Sequence, residues 1–290
     1  QVTGGYVCQE AAAPCGFVNL SQGAEFGSYP YMSLPVAYNE MTSSSTNWAM
    51  GVWVRGEQGE NMTDGRTVVS SETGFFMSLD PSNQASNASF YAQFPYGKNG
   101  EVLEFAPTSG IPGYGGWWKN PEIAPQWIAI GFVKVGGVIT WCASSDANSE
   151  PLGISEIDDP SDVGVMYLHE ILGDGTMNDS GASTRVGVLH SGKAPLRASV
   201  GGVRVMTLQE TLEPEPSTAC KDLYTLMSAE PGKVAESSGW TVVRDWALNK
   251  FEAGGSFSEH TNQGQPMSLQ PAEGWSESLN FKTSECPVAY

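Results

Sequence analysis

Two acidic, turn-rich stretches offer the oxygen donors that a hard cation takes. Asp158, Asp159 and Asp162 fall in SEIDDPSD, and Asp174, Asn178 and Asp179 fall in LGDGTMNDSG. Clustered carboxylate and amide oxygens suit calcium, although neither stretch keeps the ligand spacing of an EF-hand, and a solvated acidic loop is the competing reading of both. A third stretch, PGYGGWW, places Tyr114, Trp117 and Trp118 on a glycine-rich loop. Exposed aromatic faces there would stack on sugar rings or fill a partner's pocket, whereas the same rings turned inward would close one end of a core.

The common catalytic constellations are not present as motifs. His169-Glu170 opens like a zinc-protease helix, but Gly173 stands where the second His belongs. The other histidines are His190 and His260, and the chain has no Gly-x-Ser-x-Gly elbow and no GKS or GKT phosphate loop. The five cysteines include no CxxC pair, which argues against structural zinc. In an oxidising compartment Cys8 and Cys15 would close a short loop and Cys220 would tether the chain end at Cys286, leaving Cys142 in an apolar strand. Five reduced thiols are the alternative. Glycosylation sequons start at Asn19, Asn61, Asn87 and Asn178.

Charge narrows the partners. Thirty-two acidic against fourteen basic side chains give a formal charge of −18, which repels nucleic acid and anionic membrane faces. No apolar run approaches the roughly 18–20 residues that span a bilayer. A start at Gln1 without Met fits processing after signal cleavage, so an extracellular, cell-surface or virion-surface location is expected.

The elements that must position these residues are mainly strands, since 34 Gly and 18 Pro impose frequent turns. Alternating runs predict strands at Trp48–Arg55, Arg66–Ser71, Gly74–Leu79, Ser89–Phe94, Trp127–Val135, Val138–Ala143, Gly164–His169, Arg185–His190 and Leu196–Leu208. Gly136-Gly137 between two such runs predicts a tight hairpin, and the apolar residues on both faces of 127–135 predict a central strand. After Glu213-Pro-Glu-Pro216, a short helix capped at Ser217 or Thr218 is expected, with Leu223, Leu226 and Met227 as its apolar stripe. This divides the chain into an N-terminal segment 1–30 suited to pairing with a partner, a sandwich 31–213, a linker and helix 214–238, and a β-containing annex 239–290 too small for a core of its own. An echo links the ends, where Met-Ser-Leu followed by Pro occurs near residue 33 and again near residue 268.

The order NWAMGVWVRG, QWIAIGFVKVGGVITWCAS, RVGVLHSG and LRASVGGVRVMTLQETL resembles that of laminin-G-like, concanavalin A-like jelly-roll domains over roughly residues 30–213. The resemblance implies a two-sheet antiparallel jelly-roll sandwich that binds glycans or proteins, often with calcium at its rim. Its laminarinase-type relatives are glycosidases with a Glu-x-Asp-x-x-Glu strand motif. Glu156 and Asp158 match the first two positions here, but Ser161 stands in place of the general acid and Pro160 interrupts the strand, so catalysis is not expected.

The expected function is therefore a non-enzymatic structural or adhesive subunit of a self-assembling surface filament or virion appendage, its terminal segments pairing with copies of itself. A secreted lectin-like module that binds a carbohydrate or receptor is the alternative. A laminarinase-like hydrolase ranks third.

Overall fold

The apolar alternation and the glycine turns resolve into two antiparallel sheets. A computed structural model of the chain describes residues 7–8, 13–14, 16–21, 29–37, 47–56, 66–71, 76–80, 89–94, 103–105, 128–135, 138–144, 165–167, 183–208, 223, 226–227, 240–247, 251–252, 256–257, 267–271 and 281–283. Strands are numbered in chain order. The first sheet runs β12 (Val165–Tyr167), β11 (Val138–Ser144), β10 (Ile128–Val135), β5 (Trp48–Gly56), β14 (Ala198–Leu208), β3 (Gly16–Asn19) and β19 (Phe281–Thr283). Strand β15 (Trp240–Ala247) pairs β14 as well. The second runs β16 (Phe251–Glu252), β17 (Ser256–Phe257), β18 (Met267–Gln270), β4 (Tyr31–Ala37), β13 (Ser183–Val186), β6 (Arg66–Ser71), β7 (Phe76–Asp80), β8 (Ser89–Phe94) and β9 (Leu103–Phe105). A separate hairpin joins β1 (Val7–Cys8) to β2 (Ala13–Pro14). The fold class is the expected two-sheet antiparallel jelly-roll sandwich.

The predicted hairpin closes with Val135 opposite Val138, leaving Gly136-Gly137 as its two-residue connection. Strand β10 is central, between β11 and β5, and Ala129, Ile130, Phe132 and Val133 are buried on its two faces. One prediction shifts. The strand placed at Arg185–His190 ends at Val186, because Gly187 takes φ +99°, which turns the chain out of the sheet. A Cβ at Gly187 would also stand 2.6 Å from Leu20 Cδ1, so glycine is required there twice over.

The strands β15 to β19 between Trp240 and Thr283 all join the two sheets, with Trp240, Trp246, Met267 and Leu269 buried. Segment 16–19 likewise lies within the first sheet, hydrogen-bonded to β14 on one side and β19 on the other. The echoed triplets meet as neighbours, with Ser33 opposite Ser268 and Met32 opposite Leu269.

Between the sheets lie Met50, Val52, Val54, Val203 and Val205 from the first, and Met32, Leu34, Val186, Met267 and Leu269 from the second, all buried. The reverse face of the first sheet is covered by helical backbone at Leu223, Leu226 and Met227, the stripe expected from sequence. Gly51 makes the close approach possible, since a Cβ there would fall 2.5 Å from Met227 Sδ. The carbonyls that this helical segment leaves over are taken by the sheet: Trp53 Nε1 donates to Met227 O at 3.1 Å, and Arg204 Nη1 donates to Leu226 O.

Candidate functional site

Sheet two does not repeat this arrangement. Along β4, β13 and β18 burial alternates strictly: Met32, Leu34, Thr184, Val186, Met267 and Leu269 point inward, while Tyr31, Ser33, Ser183, Arg185 and Ser268 are half-buried and Gln270 is exposed. The register groups the outward residues, because Gln270 lies opposite Tyr31, Ser268 opposite Ser33, and Ser33 opposite Arg185. Three adjacent strands thus present one aromatic ring, one guanidinium, three serine hydroxyls and one amide on a single face. With neighbouring strands about 4.8 Å apart, the row from Ser268 to Arg185 spans about 10 Å, wide enough for a short oligosaccharide.

Arg185 is held in place from two sides. Its guanidinium carbon lies 4.8 Å from the centroid of the Tyr31 ring, and Nη1 donates to His190 O at 2.8 Å. The loop that carries this carbonyl is itself fixed. Leu189 N donates to Lys193 O, Gly192 N to Leu189 O and Leu196 N to Gly187 O, at 2.9, 2.7 and 2.7 Å. Bonds to strand β6 pin it from below: Gly187 N to Val68 O, Thr67 N to Ala194 O, and Ser70 Oγ to Val188 O, at 2.9, 3.0 and 2.8 Å. Ser191, Gly192 and Lys193 form its exposed tip.

The sequence-predicted site residues are a different set. Tyr114, Trp117, Trp118, Asp158, Asp159, Asp162, Asp174, Asn178, Asp179, Cys15, Cys220, Cys286, Asn61 and Asn87 lie outside the described residues. Cys8 stands in β1, opposite Ala13. Asn19 ends β3 half-buried, and its Oδ1 accepts bonds from Ser21 N at 2.7 Å and from Ser21 Oγ, so the sequon's side chains form a compact turn. Two other cations are buried. Arg204 forms a two-pronged pair with Asp245, Nε to Oδ1 at 3.0 Å and Nη2 to Oδ2 at 3.1 Å, both residues sealed from solvent. Lys134 is buried on β10, where desolvation lowers its pKa to about 8.

Sequence reasoning passed over the outer face because its residues are scattered over three distant strands. The signal that would have found it is the repeated Met-Ser-Leu, whose two serines become its centre.

No family model matches the chain and no curated protein does. Among solved structures it is similar to domain 4 of AbnA, a GH43 extracellular arabinanase from Geobacillus stearothermophilus, in complex with arabinotriose. The identity there is 16% over 67% of this chain and 72% of that one, with a TM-score of 0.35. Domains LG4-5 of the mouse laminin alpha1 chain share 10% identity over 70% of this chain and 45% of that one, TM-score 0.36. The NanB sialidase from Streptococcus pneumoniae shares 9% over 82% and 38%, TM-score 0.40. The chain thus spans less than half the length of the last two. All three are compatible with the sandwich described above and add nothing to it.

Proposed function

We propose that this chain is a non-catalytic, extracellular carbohydrate-binding module that seats a saccharide on the outer face of β18, β4 and β13. The observation that carries this reading is the juxtaposition of Tyr31 and Arg185 with Ser33, Ser268 and Gln270 on one ordered face. Sugars offer hydroxyls that both donate and accept, together with apolar ring faces. The half-exposed hydroxyls and amide answer the first, and the aromatic edge answers the second. A fixed guanidinium adds directional donors whose ordering cost has already been met by folding.

Glycan-array binding followed by titration of the best ligand tests the reading. Tyr31→Ala and Arg185→Ala are each expected to weaken binding at least about tenfold, the loss of one or two good polar or stacking contacts, with the thermal midpoint little changed. A blank array, or a ligand indifferent to both substitutions, refutes it. Calcium at the Asp158–Asp162 or Asp174–Asp179 loop is a separate element of the proposal, read by titrating metal-free protein with the cation.

The filament reading drew on terminal segments without a place in their own sandwich. Strands β3 and β19 pair with each other, and β18 pairs with β4. The proposal therefore takes the module in preference to the assembly subunit, and sedimentation of concentrated protein as a monomer is the expected outcome.

A further inference from the structure

We infer that the face selects an anionic saccharide, one whose carboxylate or sulfate pairs with Arg185; this rests on the saccharide-binding reading above. The molecule holds its own worked example of the contact. Arg204 spends Nη1 on a backbone carbonyl and offers its Nε and Nη2 edge to the Asp245 carboxylate. Arg185 likewise spends Nη1 on a backbone carbonyl, that of His190. Its Nε and Nη2 edge meets no carboxylate among the described residues, although the guanidinium is already fixed by Tyr31 and the loop. That edge is the fork that matches a carboxylate or sulfate in two-pronged fashion.

The surrounding charge agrees. Residues 180–209 contain no Asp or Glu, the longest such run in the chain, where 32 acids spread evenly over 290 positions would put about three. The same run carries Arg185, Lys193, Arg197 and Arg204, together with His190. Arg204 is neutralised by Asp245 and faces the other side of the sandwich, whereas Lys193 stands exposed at the tip of the turn that supplies Arg185's carbonyl partner. In a chain of charge −18, the half-buried Arg185 and the exposed Lys193 beside a hydroxyl-bearing face favour an anionic ligand there over the rest of the surface.

Titration with matched probes decides it: trigalacturonate against its methyl ester, a sulfated dextran oligosaccharide against plain dextran oligosaccharide, and oligoglutamate as a non-sugar anion. The expected result is binding of at least one acidic sugar at least about tenfold tighter than its neutral counterpart, weakening as salt rises. The carboxylate and sulfate arms tell the two anions apart. Arg185→Lys, which keeps the charge and loses the fork, is expected to lose most of that preference, and Arg185→Gln all of it. Lys193→Gln, at an exposed tip that folding does not depend on, should cost a few-fold for acidic sugars only. Neutral probes binding within about twofold of acidic ones would overturn the anion preference and leave the saccharide reading standing. Oligoglutamate binding as well as trigalacturonate overturns the claim that a sugar is recognised, and silence of every probe overturns both readings.

Discussion

Arg204 and Arg185 stand on the outward faces of the two sheets, and the chain has treated them in opposite ways. Arg204 is roofed by the helical backbone at Leu226 and Met227, paired with Asp245 and wholly buried. Arg185 is half-exposed, oriented by a ring and a single carbonyl, and has no roof among the described residues. The difference separates a buried fastening from a cation left near the surface. On the first sheet both sides are buried, so its cation is an internal fastening. On the second sheet β18, β4 and β13 keep their outward side chains half-buried or exposed, so Arg185 is not sealed as Arg204 is.

The largest expected effect is at the fastening. Arg204→Met leaves Asp245 as a buried charge without its counterion and should cost about 3–5 kcal/mol, read as a lower urea midpoint at unchanged slope. Replacing both partners together with apolar residues should recover much of that loss, and failure to recover would mean that the Leu226 carbonyl, more than the ion pair, is what Arg204 serves.

Lys134, buried on β10, gives the first sheet a pH-dependent readout. Its folded pKa of about 8 lies below the usual 10.5, so between those values the unfolded chain binds the extra proton. Stability should therefore rise as pH rises from about 8 to 10.5, by an amount on the order of 2–3 kcal/mol. Below about pH 8 the charged form burdens the fold, and Lys134→Met should remove the slope and raise stability at neutral pH.

Gly187 lies where the open face meets its supporting loop. Gly187→Ala, strained by φ +99° and by the Leu20 contact, should destabilise by about 1–3 kcal/mol and weaken ligand binding with it. The smallest effect on stability is expected at the open face itself. Arg185→Ala should cost less than about 1 kcal/mol in a denaturation curve while weakening saccharide binding at least about tenfold. A loss near that of Arg204→Met would erase the contrast between the two sheets.

Local pattern made much of the fold legible. The glycine pair announced the β10–β11 hairpin, two-sided apolarity announced a central strand, and the spacing of Leu223, Leu226 and Met227 announced the helical stripe. Long-range register was not legible. Nothing near Arg204 names Asp245, 41 positions on, as the carboxylate that will face it, because that depends on how β15 aligns with β14, including a bulge between Val205 and Met206. The outer face was hidden for the same reason, since Tyr31, Arg185 and Gln270 are gathered from three strands far apart in the chain. The echoed Met-Ser-Leu was its one sequence-level trace.

The pairing of β3 with β19 has a consequence for biosynthesis. Val18 lies opposite Phe281 across 263 positions of chain, so the first sheet stays incomplete until Phe281 has left the ribosome. Such distant closures are slow, and the waiting edge of β3 is an invitation to intermolecular pairing in the meantime. A chain shortened by its last ten residues would lose Phe281–Thr283 and with it the seal on that edge. It should accumulate as aggregate during expression while the chain that keeps these residues matures.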